Sequence, residues 1–174
     1  MMTDKITLNQ LSSHEEVYLL DKEFSNKYPW YTSNDYFINC LKENLEDKRI
    51  TLIAFYEGVL AGCCHLLHNS NYPFFESENI PEINDLNVFP EFRRKKIASK
   101  IFDELERIAS KNSKMIGLGV GLYKDYGNAQ IMYNKRGYIM DGKGITYKNI
   151  QVLPGKSVMV DDDLLMYLVK KLDE

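Results

Sequence analysis

The stretch Asn87-Val-Phe-Pro-Glu-Phe-Arg-Arg-Lys-Lys-Ile-Ala-Ser-Lys-Ile-Phe102 reads as a strand end, a basic turn and the start of a helix. Ile97, Ile101, Leu105 and Ile108 recur at four-, four- and three-residue steps, with Lys100, Asp103, Glu104, Arg107 and Lys111 on the other side. That spacing predicts an amphipathic helix with one buried face. No Ser, Thr, Asp or Asn directly precedes Ile97 to cap its first N–H groups. Arg93, Arg94, Lys95 and Lys96 instead place four cations at the positive end of the helix dipole. An anion there would satisfy the orphan N–H groups and neutralise the cations together. The competing reading is a solvated basic patch, with Pro90 and Glu91 as the first turn of a longer helix.

The composition narrows the choice. A chain of 174 residues buries enough surface for one domain, expected to span 1–174. Hydrophobic residues at 44% and charged residues at 27% fit a globular protein, and no run approaches a membrane span. The opening Met1-Met-Thr-Asp-Lys-Ile-Thr7 lacks the apolar core of a signal peptide, so a cytoplasmic location is expected. A net charge of -3 argues against general nucleic-acid binding, so the basic cluster suits a small anionic ligand. Cys40, Cys63 and Cys64 form neither a disulfide framework nor a metal pattern and read as buried apolar residues. His65 and His68, three apart in a strand, face opposite ways, and no metal site is expected.

From the N-terminus, Lys5 to Leu11 alternates as an edge strand. Ser13-His-Glu-Glu16 fits a capping box, with Val17, Leu20 and Phe24 as the apolar stripe of the first helix. A second helix is expected from Thr32 or Ser33, carrying Phe37, Leu41 and Leu45 inward. Strands at about Arg49 to Tyr56 and Leu60 to His68 form a hairpin over Glu57-Gly58. Asn69 to Asn79 reads as a loop, and Ile80 to Val88 as strand four, with Glu82, Leu86 and Val88 on one parity. Met115 to Leu122 is a strand whose apolar side chains share one parity while Gly117, Gly119 and Gly121 leave the other face bare. Such glycines mark close approach of a ligand or close packing. Asp125 to Gly137 reads as a helix ended by Gly137. Tyr138 to Met140 and Ile145 to Val152 follow as strands around the turn Asp141 to Gly144, and Leu164 to Val169 as a buried strand. The result is a mixed α/β sheet.

From about Glu82 to Leu172 the chain resembles the GNAT superfamily of acyl-CoA-dependent N-acetyltransferases, small bacterial members among them. The family's phosphate-binding signature falls on Arg93-Arg-Lys-Lys-Ile-Ala98, where Arg93 and Ala98 match and Lys96 replaces the first glycine. The segment Asn128-Ala-Gln-Ile-Met-Tyr-Asn-Lys-Arg-Gly-Tyr138 is similar to a second signature. The resemblance implies a mostly antiparallel sheet of about seven strands with strands four and five splayed, and about four helices. It also implies acetyl-CoA as co-substrate, with the pantetheine arm on backbone groups of Leu86 and Val88. The pyrophosphate would lie on Arg93, Arg94, Lys95, Lys96, Ile97 and Ala98.

Under the same resemblance, Tyr133 protonates the departing thiolate, though a helix-face tyrosine also packs cores. Asn128 binds cofactor or caps its helix. Glu82 is the base, with Asp85 as the fallback, although a strand-end carboxylate also suits Glu82. Trp30, Tyr31 and Phe75, with carboxylates near Asp161, would hold a cationic amine, whereas aromatics in loops also simply cover cores. The acceptor is a small molecule or a peptide amine, and the protein a monomer or homodimer with no nucleic-acid or membrane partner. A non-catalytic acyl-CoA sensor and a nucleotide-binding regulatory module are the other readings.

Overall fold

The computed structural model describes residues 5–172; the expectation drawn from Met1 to Thr7 falls in part on residues 1–4, outside the described residues. The chain divides into two compact units, Met1–His68 with Asn84–Leu105, and Asn69–Ile83 with Glu106–Glu174.

In the first unit, β1 (Ile6–Gln10) pairs antiparallel with β2 (Arg49–Tyr56), and β2 with β3 (Val59–Leu67). Next to β3 comes β4 (Glu82–Val88). The β2–β3 hairpin turns over Glu57 and Gly58, whose φ values of 49° and 83° are the two positive angles of a type I′ turn. Helix α1 (His14–Lys27) begins with the expected capping box: the Glu16 N–H donates to Ser13 Oγ at 3.2 Å and the Ser13 N–H to Glu16 Oε2 at 3.1 Å. Val17, Leu20 and Phe24 of α1 meet Phe37 and Leu41 of α2 (Tyr36–Leu45), together with Ile53, Cys63 and Phe89, in one core. All three cysteines are free and buried there or beside it.

Helix α2 starts later than expected. Asn34 and Asp35 are left-handed, with φ of 36° and 60°, a local choice open to these short polar residues, so helical geometry begins only at Tyr36. Leu45 is 71% exposed, not turned inward, because the helix ends on it.

In the second unit, Glu82 and Ile83 of β4 pair in parallel with Gly117 and Leu118 of β5 (Met115–Gly121). These two pairs, within strands of seven residues each, make up the described parallel register. Strand β5 pairs antiparallel with β8 (Leu164–Lys171), β8 with β6 (Ile139–Tyr147), and β6 with β7 (Ile150–Gln151). The turn expected at Asp141 to Gly144 is an irregularity inside β6, where the register shifts between Met140 and Ile145 and Gly142 and Gly144 take positive φ. The loop expected at Asn69 to Asn79 contains helix α3 (Pro73–Glu78), started by its proline.

The glycine face of β5 is filled from within. A Cβ at Gly117 would collide with the ring of Phe75, and one at Gly121 with the ring of Tyr126. Tyr72, Phe75, Ile80, Tyr167 and Val169 form the core there, with the Tyr72 and Tyr167 rings stacked at 3.7 Å. Close packing, by aromatic rings, is therefore what these glycines serve. Helix α4 (Ile97–Ala109) runs from the first unit into the second. Its Glu106 accepts from Arg136, Tyr138 and Lys170, at 3.0, 3.1 and 2.7 Å. Helix α5 (Gly127–Lys135) ends as expected, with Gly137 at φ 88°. Among the described residues there are thus eight strands and five α-helices, close to the seven and four expected.

Candidate active site

In the basic turn, Pro90–Phe92 forms one 3₁₀ turn, so the bulk of the helix still starts at Ile97. The Lys100 N–H donates to the Lys96 carbonyl at 3.1 Å, which makes Lys96 the residue at the cap position. A lysine there carries no acceptor for the first N–H groups. Arg94 and Lys96 are both left-handed, each at φ 64°, and Ile97 is helical. A left-handed residue followed by a right-handed one, as at Lys96 and Ile97, is the kind of step that gathers successive N–H groups into an anion-binding concavity. Lys96 thus adopts, at some steric cost, the backbone conformation that a glycine adopts freely.

The side chains of the turn are exposed but not all idle. Arg93 Nε donates to the Val88 carbonyl at 3.2 Å, tying the turn to the end of β4. Lys95 Nζ lies 4.4 Å from the Tyr56 ring centroid and 5.3 Å from that of Phe92. The residues present fit a diphosphate: a long amphipathic helix, a cap position without an acceptor, a concave backbone and surface cations coincide. Leu86 and Val88 are half-buried on β4. The adjacent strand approaches so closely that a Cβ at Gly62 would collide with the Asn87 carbonyl oxygen. Between them and Glu82, Asp85 is left-handed at φ 48°, which interrupts the simple alternation behind the expected shared parity.

The second unit holds the other expected residues. Glu82 is 5% exposed and accepts a short hydrogen bond from Ser70 Oγ, which itself accepts from the Tyr72 N–H at 2.9 Å. Tyr133 is 8% exposed, one turn before Gly137, with its ring 6.2 Å from that of Tyr138. Asn128 is exposed and is the second residue of α5; the cap position is Tyr126, so Asn128 is not the N-cap. Phe75 is fully buried against Gly117 and Tyr167, and its neighbour Tyr72 donates to Asp141 at 2.7 Å. Near Asp161 the carboxylates are engaged by tyrosines: Tyr147 donates to Asp161, and Tyr123 and Tyr126 to Asp162.

Trp30 and Tyr31 line a cleft of about 590 Å³ wholly inside the first unit. Its walls also carry Tyr36, Glu43, Arg49 and Asp85. Sequence reading assigned no role to Tyr36, Glu43 or Arg49. The available signal is Tyr36 standing next to Phe37, within a helix that the sequence alone starts at Thr32 or Ser33.

A concave basic turn ahead of an amphipathic helix, in a mixed α/β chain, is an arrangement that suits an anionic, phosphate-bearing ligand. The sequence matches the Acetyltransferase (GNAT) family over residues 13–138, so the chain belongs to that family. Three solved structures show the shared fold. An acetyltransferase of Salmonella typhimurium, which modifies the N-terminal serine of ribosomal protein L7/L12, has a TM-score of 0.71 at 10% identity, covering 98% of this chain and 97% of that one. The spermidine N-acetyltransferase SpeG chimera of Vibrio cholerae and hSSAT has a TM-score of 0.67 at 12% identity, covering 97% and 96%. The PaiA N-acetyltransferase of Thermoplasma acidophilum, in complex with coenzyme A, has a TM-score of 0.63 at 18% identity, covering 97% and 99%. No curated protein matches the sequence. Among the described residues no helix is long and apolar enough to cross a membrane.

Proposed function

We propose that residues 1–174 form one acetyltransferase domain that moves the acetyl group of acetyl-CoA onto a primary amine, of a small molecule or a peptide N-terminus, by direct attack. The observation that carries this reading is the turn Arg93–Ala98, which keeps the left-handed backbone of a phosphate cradle even with lysine at residue 96. Its fit is supported by the relatives: one solved structure holds coenzyme A and another acetyl-CoA. A cytoplasmic bacterial enzyme, monomeric or dimeric, belongs to the same reading.

Acetyl-CoA supplies an activated thioester. The N–H groups of Arg94 to Ala98, with the cations of Arg93 to Lys96, bind the diphosphate. Backbone groups of Leu86 and Val88 hold the pantetheine arm, and the Val88 N–H donates to the oxygen that gains charge. Glu82 accepts the proton of the amine, directly or through water, and Tyr133 gives a proton to the departing sulfur. Asn128, exposed on α5, contributes a polar contact to the cofactor. Trp30 and Tyr31 hold the acceptor, whereas Phe75, enclosed in its core, supports β5 instead.

Thermal denaturation tests the reading. Acetyl-CoA and CoA raise the Tm and ATP does not, because a ligand bound by the folded state alone stabilises it by mass action. No shift with either thioester or thiol, or an equal shift with ATP, would refute it. The non-catalytic sensor shares this binding and differs in releasing no thiol with any amine.

A further inference from the structure

Four side chains of the first unit donate in succession, in a single direction, and the row ends on a fifth that accepts. His65 is 1% exposed, and burial drives its pKa down to about 3, so the ring is neutral at ordinary pH. A neutral imidazole offers one N–H and one lone pair. Its Nε2 is 3.2 Å from the Tyr36 hydroxyl and its Nδ1 2.8 Å from Thr51 Oγ1. The Tyr36 hydroxyl donates its one hydrogen to Asp85 Oδ2 at 2.5 Å, so it accepts from His65, and Nε2 carries the ring proton. Nδ1 is then the acceptor, and Thr51 donates to it while accepting from Asn44 Nδ2 at 2.9 Å. Every hydrogen in the row from Asn44 through Thr51, His65 and Tyr36 to Asp85 is thereby assigned. Successive hydrogen bonds of this kind polarise one another and fix the group at the end.

The group at the end is a carboxylate on the wall of the cleft. The other carboxylate there, Glu43, is already paired with Arg49, whose Nε lies 2.6 Å from it. No lysine or arginine pairs with Asp85 among the described residues. The same cleft is lined by Trp30, 67% exposed and stacked on Tyr28 at 4.9 Å, and by the half-buried rings of Tyr31 and Tyr36. An oriented carboxylate without a counter-ion, next to aromatic faces in a concave site, selects a small organic cation.

Building on the acetyl-transfer reading, we infer that the cleft binds the acceptor as an alkylammonium ion, with Asp85 as its ionic partner and Tyr36 as the positioning residue for Asp85. Glu43 and Arg49 pair with each other, which leaves one net negative charge on the cleft's lining to be matched by a single ammonium group. A neutral or anionic compound of the same length gains nothing from Asp85.

Calorimetric titration of the full chain with n-butylammonium chloride tests this, with n-butanol and butyrate as controls. The amine binds, more weakly as salt rises, and the controls do not. Asp85→Asn weakens amine binding at least about tenfold, and Tyr36→Phe by about three- to fivefold. In the Asp85→Asn background Tyr36→Phe has no further effect, an outcome that a purely structural tyrosine would not give. Binding of n-butanol as tight as that of the amine, an unaffected Asp85→Asn variant, or no amine binding overturns the inference. Thermal stabilisation by acetyl-CoA, read on the same samples, keeps the two claims separate. If acetyl-CoA stabilises while amines fail to bind, the cleft assignment falls alone; if amines bind without acetyl-CoA stabilisation, the transfer reading falls alone.

Discussion

The ring of Phe75 stands where a side chain at residue 117 would be, so the bare face of β5 at Gly117 is a socket for an aromatic from α3. Both partners are buried, and the Phe75 ring is enclosed by those of Tyr72 and Tyr167. Gly117→Ala therefore overpacks the core of the second unit and costs roughly 1–3 kcal/mol. Urea denaturation measures this directly; an unchanged midpoint would mean that the ring moves aside freely.

Lys96 predicts a change of opposite sign. Its φ of 64° strains any residue with a Cβ, so Lys96→Gly relieves the turn and raises stability by up to about 1 kcal/mol. The same change removes a cation from the proposed diphosphate site, so CoA binds a few-fold more weakly and with a shallower salt dependence. Calorimetric scans and titrations at two salt concentrations read both effects. Affinity and salt slope equal to those of the parent would show that the lysine points away from the phosphates.

His65 makes stability depend on pH. Burial, with a smaller contribution from Arg49, depresses its folded-state pKa from 6.5 to about 3, so between these values the unfolded chain binds a proton that the folded chain does not. Stability is therefore fully kept above about pH 6.5 and falls as the pH drops toward 3, by up to about 1.4 kcal/mol per pH unit from this group. His65→Gln should lose less stability between pH 7 and pH 5 than the parent does. Identical slopes in denaturant titrations would contradict the assignment of a neutral buried ring.

Tyr133→Phe and Glu82→Gln each slow turnover by roughly two to four orders of magnitude with little change in acetyl-CoA affinity. Steady-state kinetics with a working acceptor check this. A residue whose variant turns over at the parental rate has no place in the mechanism.

Much of the fold was legible because its signals are local. Ser13 with Glu16 announces the start of α1, Glu57-Gly58 the hairpin, Ile97 the helix after the basic turn and Gly137 the end of α5. Each of these is decided by residues within a few positions of one another. What was not legible depends on partners distant in sequence. The three glycines of β5 fit a ligand or close packing equally well in the sequence, and only Phe75, Tyr167 and Tyr126, from elsewhere in the chain, decide for packing. Likewise Tyr36, His65 and Asp85 lie on α2, β3 and β4, and no spacing rule connects them before the strands pair. The late start of α2 turned on left-handed Asn34 and Asp35, a conformation that asparagine and aspartate permit without requiring it. The basic turn could be read because its signal lies in consecutive residues; of the cleft only Trp30 and Tyr31 could be singled out, because its other walls come from several elements.

The central claim is that this chain carries out acetyl transfer to an amine, and release of free thiol from acetyl-CoA tests it most directly. With alkylamines supplied to the full chain, thiol appears in an amine-dependent and saturable way, and acetylated amine is recovered in equal amount. Binding of acetyl-CoA with no amine-dependent thiol release, across alkylamines and peptides with free N-termini, would contradict it.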